Sequence, residues 1–179
     1  MQRTRLLIIG AVLALQAALS GCAAVVAVPV VVAAGAMSVY TIVNVARNQY
    51  PDINFDSQSP EEETYQASYD AVWTASMATL KEMKETTQMM DKSAGTIQTD
   101  RKNINDVKWF NRDLGQSVFF YEFNIAVKPV QGGVSVKSTV QFVEEKRFAE
   151  NRQKDIPEGS NMMRHIFFRN LRNTLQEKA

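Results

Sequence analysis

The sequence predicts an α+β domain: an antiparallel sheet with two helices packed on one face, in the order strand, helix, four strands, helix. An export signal and an apolar membrane-associated helix precede it. Three observations predict this. From Phe119 to Val127 and from Val134 to Phe142, apolar residues alternate with a second set around Gln131-Gly132-Gly133, the pattern of a β-hairpin. Two stretches, 69–87 and 163–175, carry apolar residues at three- and four-residue spacing, the period of a helix face. The first 47 residues hold two uncharged runs with one cysteine at their junction.

Arg3 and Arg5 precede the uncharged run Leu6–Leu19, which reads as the basic and apolar regions of a bacterial export signal. The run is short for a bilayer span, which needs roughly 20 apolar residues. It ends at Leu19-Ser20-Gly21-Cys22, which resembles the lipobox of bacterial lipoproteins. The resemblance implies that the Cys22 thiol is diacylglycerylated, that residues 1–21 are removed, and that acylated Cys22 opens the mature chain. The competing reading, a free buried cysteine, is the usual fate of a lone Cys in a cytoplasmic protein. With Cys22 lipidated, no cysteine remains for a disulfide, and the fold stands on its core alone. Ala23 stands where enteric-type lipoproteins retained at the inner membrane carry aspartate, which implies the outer membrane, facing the periplasm.

Residues 22–47 are read as the lipidated cysteine and an apolar membrane-associated segment. Ala23–Ala46 holds no charge but is broken by Pro29 and Gly35 and is built mainly of Ala and Val. Three placements compete: lying on the bilayer, packing on copies of itself through Ala33-Ala34-Gly35-Ala36, or spanning. A second apolar segment would make a lipid attachment durable. Residues 48–63 (NQYPDINFDSQSPEEE), with two prolines and little periodicity, read as a linker to a globular domain at 64–179.

Within that domain, Glu63–Ala67 is expected as a short strand and Ser68 as the cap of a helix whose face is Tyr69, Val72, Ser76, Leu80, Met83 and Thr87, with Trp73 at its border. Thr86–Asp91 and Gly95–Arg101 follow as strands around a turn, and then the hairpin. Asp155–Ser160 breaks the chain. Ser160 or Asn161 is expected to cap a final helix with the stripe Met163, Ile166, Phe167, Leu171 and Leu175, Arg169 and Arg172 facing away.

This order behind a lipobox resembles small Gram-negative envelope lipoproteins whose domain is related to the helix-grip domains of the third lipoprotein of the outer-membrane β-barrel assembly machinery. Tyr69-Asp70-Ala71-Val72-Trp73 and Asp91–Thr99 (DKSAGTIQT) carry the resemblance beside Leu19–Cys22; the loop 102–116 and the run 144–152 depart from it. It implies a non-enzymatic envelope domain with no catalytic residues.

The chain has 20 Lys+Arg against 19 Asp+Glu, so no basic excess points to nucleic acid. His165 is the lone histidine, beside the last apolar stripe, and is read as structural; no metal site or cofactor is expected. Glu122, mid-strand among aromatics, falls on the solvated side of the alternation. Trp109 and Phe110, flanked by Lys108 and Arg112 on a loop without period, form the candidate partner contact, against the reading that one ring plugs the sheet while the other packs over it. Two functions follow as expectations. One is a tethered, non-enzymatic structural or interaction module, held at the membrane by Cys22 and residues 23–46 and docking an envelope protein or itself. The other is a carrier or sensor of a hydrophobic ligand between sheet and helices, lined by methionines such as Met77, Met83, Met89, Met90, Met162 and Met163.

Overall fold

The structure, a computed structural model, describes residues 38–146 and 153–177. The signal 1–21, Cys22 and the apolar residues up to 37 lie outside the described residues. From Val39 the chain forms one compact unit. Among the described residues its architecture is α+β, with three helices and one antiparallel sheet of seven strands. In chain order the elements are helix α1 (38–49), β1 (Glu62–Tyr65), α2 (Tyr69–Glu82), β2 (Thr87–Asp91), β3 (Thr96–Thr99), β4 (Lys102–Asn103), a 3-10 turn (Ile104–Asp106), β5 (Ser117–Val130), β6 (Gly133–Lys146), β7 (Gln153–Asp155) and α3 (Pro157–Gln176). The sheet runs β1-β6-β5-β3-β2, with β4 also pairing β5 and β7 also pairing β6.

The hairpin β5–β6 is the spine. Pairing runs without a break from Ser117↔Lys146 to Val130↔Gly133, which fixes which side chains share a face. Phe119, Tyr121, Phe123 and Ile125 therefore stand beside Val140 and Phe142, all nearly inaccessible. Burying each aromatic ring contributes about 2–3 kcal/mol. On this face Phe167 of α3 meets Phe123 with centroids 5.7 Å apart, and α2 lies alongside α3, Thr79 Oγ1 and Thr174 Oγ1 being 3.3 Å apart. The other face is largely wet: Asn124, Thr139 and Gln141 are exposed, and Glu122 is half-buried opposite Gln141.

Ser68 caps α2, its Oγ accepting from the Ala71 N–H at 3.2 Å, as the sequence predicts. The last helix departs from expectation. It begins at Pro157, whose missing N–H costs nothing in the first turn, and Ile156 at the cap position makes no side-chain capping bond. Asn161 is occupied elsewhere: its Oδ1 accepts from the Ser59 N–H at 2.7 Å and its Nδ2 donates to the Ser57 carbonyl at 2.9 Å.

Those two bonds overturn the linker reading of 48–63. Phe55 and Ser59 are buried, and Tyr50 and Ile53 pack on the core. Arg169, expected to face away, donates from Nε to Asp52 Oδ2 at 2.9 Å, and Arg172 donates to Glu63 at 2.6 Å. Charged and amide side chains of α3 thus hold a segment whose polar composition reads as a spacer. The preceding boundary shifts too. Helix α1, the end of the segment read as membrane-associated, buries Ile42 and Ala46 in the domain core, with Val39, Val43 and Val45 packed against it. No helix among the described residues is long and apolar enough to cross a membrane. β4 and β7, two- and three-residue strands, are additions to the expected order.

Candidate functional site

Helix α2 ends in a tight left-handed stop. The Glu85 N–H donates to the Leu80 carbonyl at 2.8 Å and the Lys84 N–H to the Lys81 carbonyl at 3.0 Å, with Lys84 at φ +59°. Glycine usually takes that position, because a side chain there crowds the following carbonyl. The turn is held by Lys102 of β4, whose Nζ donates to the carbonyls of Met83 (3.1 Å) and Lys84 (3.0 Å) and to Glu85 Oε1 (3.1 Å). All three ammonium protons are used, two of them on carbonyls at the negative end of the helix.

The Glu85 side chain is 1% exposed. Its Oε1 also accepts from the Tyr121 hydroxyl at 2.8 Å, while its Oε2 is buried with no partner. Burial pushes the Glu85 carboxyl above the usual carboxylate range against the opposing pull of Lys102 and Tyr121. Burial raises the Tyr121 phenol as well, helped by the neighbouring Glu85.

Glu85 and Tyr121 belong to the wall of a cleft of about 230 Å³. The end of α2 supplies Glu82, Met83 and Lys84, and Gln49, Tyr50, Val107, Lys108, Trp109 and, from α3, Met163 and Ile166 complete the lining. Trp109 meets Tyr50 edge to face at 6.2 Å and Phe110 likewise at 6.1 Å. Arg169 lies over the Tyr50 ring at 5.6 Å.

The four residues expected to form a partner contact are therefore divided. Phe110 is wholly buried, the plug under the Trp109 ring, and offers no surface. Lys108 and Trp109 line the cleft; Arg112 is exposed outside its lining. His165 packs edge to face on Phe55, and its Nε2, 3.0 Å from the Ser57 carbonyl, meets it as a donor. Glu122 joins Arg101 and Phe120 around a hollow of about 60 Å³, with the Arg101 guanidinium 4.4 Å from the Phe120 centroid. Sequence spacing does not single out Glu85, Lys102 or Tyr50. Glu85 falls inside the stretch 69–87 read as a helix face and Lys102 in a loop without period, and nothing in their spacing joins them.

An open sheet edge is the second feature. β2 is the last strand in the order, and no strand among the described residues pairs with its outer side. Met89 and Met90 are 52% and 62% exposed on it, whereas Met162 and Met163 are buried in the core.

No family model matches the chain, and no curated protein matches it. Among solved structures it is distantly similar to the crystal structure of a DUF4468 family protein from Bacteroides ovatus, with 15% identity and a TM-score of 0.38, over 64% of this chain and 82% of that one.

Proposed function

We propose that this chain is a membrane-anchored envelope lipoprotein acting as a non-enzymatic interaction module, held by acylated Cys22 at the periplasmic face of the outer membrane and docking an envelope protein through the β2 edge. The observation that carries the docking role is the outer side of strand Thr87–Asp91, which pairs with no strand among the described residues, with Met89 and Met90 exposed on it. Unpaired backbone groups on such an edge accept another strand, and methionine adapts to the surface it meets. The anchor rests on Leu19–Cys22 and on the likeness to helix-grip envelope lipoproteins.

The carrier reading has less support, since the space between sheet and helices is filled by Phe119, Tyr121, Phe123, Phe142 and Phe167, each at most 1% exposed.

A photocrosslinking residue in place of Met90, in cells, should give a discrete adduct that the same residue in place of exposed Lys128 does not. Equal adducts at both positions, or none, would remove the β2 edge as the docking surface. Intact-mass measurement of the detergent-extracted protein should show a chain beginning at acylated Cys22; an unprocessed chain with a free thiol would overturn the anchor.

A further inference from the structure

We propose that the cleft at the end of α2 binds one neutral sugar ring, its hydroxyls bonded by Glu85 and the surrounding charged side chains and its carbon face resting on Trp109. This site is separate from the β2 edge. Size sets the first limit: drug-sized ligands occupy roughly 300–1,000 Å³, and at about 230 Å³ this cleft admits a single ring rather than a lipid chain.

Charge sets the second. Glu82 and Glu85 share the wall with Lys84 and Lys108, and Lys102 is bonded directly behind Glu85. A cationic ligand would be brought against these lysines, and an anionic one against the carboxylates. A neutral ligand carrying both donors and acceptors meets both signs without leaving a charge unpaired. Hydroxyl groups do this, each being donor and acceptor at once.

The third observation points to a missing partner. The Glu85 side chain is 1% exposed, its Oε1 takes two donors, and its Oε2 takes none. A buried acceptor without a partner is costly, and Glu85 belongs to the cleft wall. A ligand hydroxyl donating to Oε2 supplies the bond. The half-buried Trp109 indole gives the apolar surface against which the ring's C–H groups are removed from water.

Saturation-transfer NMR on the full chain in detergent, with glucose, galactose and N-acetylglucosamine as probes and acetate and tetramethylammonium as charged controls, tests this. Transfer is expected to at least one sugar and to neither ion. Affinity for that sugar should fall at least tenfold in Trp109→Ala and in Glu85→Gln, and several-fold in Lys108→Ala, whose exposed side chain leaves the core untouched. It should be unchanged in Met90→Ala, which alters only the β2 edge. Absence of transfer to all three sugars, tighter binding of either ion, or affinity that survives the Lys108 and Glu85 substitutions would overturn the proposal.

Discussion

At the residue scale, the Glu85–Lys102 pair is the most consequential interaction in the domain, because it joins a buried charge to the stop of α2. Removing either partner would strand the other: the carboxylate would lose its cation, and two helix carbonyls would lose their donor. Because burial holds the Glu85 pKa above its unfolded value, the native state keeps this proton where the unfolded chain has released it. Stability from this group is full below the unfolded carboxylate range and is lost as pH rises through the folded pKa. Denaturant unfolding across a pH series should therefore show wild type losing stability relative to Glu85→Gln as pH climbs from about 4. A difference that is flat with pH would mean that Glu85 titrates normally. Lys84 adds a local cost, its left-handed backbone being tolerated because Lys102 and the two turn bonds define it.

At the element scale, α3 is seated on the sheet by a point of close approach as well as by its aromatic stripe. A Cβ at Gly159 would collide with the Phe142 ring, which itself stacks on Tyr121 at 6.2 Å in the middle of the core. Gly159→Ala should then destabilise the domain by about 1–3 kcal/mol despite alanine's better helix propensity, because overpacking outweighs propensity in a filled core. Equilibrium unfolding measures this, and a stabilised variant would mean that α3 can lift away from β6. The β2–β3 turn follows the same logic in backbone terms. Gly95 has φ +68° and faces the Val127 carbonyl too closely for any side chain, while its own carbonyl accepts from the Val127 N–H at 2.7 Å.

At the scale of the whole molecule, the domain begins earlier than its amphipathic pattern does. Helix α1 and the segment to Glu63 cover the core, so the domain reaches back to Val39 rather than beginning at residue 64. Ile42→Ala, at a site 1% exposed, is expected to cost about 2–5 kcal/mol in denaturant unfolding, the range for deleting a buried branched side chain. A cost near zero would mean that α1 does not belong to the domain core.

What the sequence by itself determined is whatever local periodicity encodes. The β5–β6 hairpin, its aromatic face, the α2 face and its Ser68 cap are all legible, because alternation and three-four spacing are consequences of strand and helix geometry. Tertiary structure alone decided the rest. β4 and β7 are too short to carry a period, and exist because β5 and β6 extend beyond their other neighbours. The 48–63 segment is seated by bonds from Asn161, Arg169 and Arg172 across more than 100 residues of chain, and polar residues give the same sequence signal whether they face water or such a partner. The cleft arises in the same way: Glu85, Lys102, Trp109 and Tyr50 come from four separate stretches, and only packing brings their charges and rings to one place.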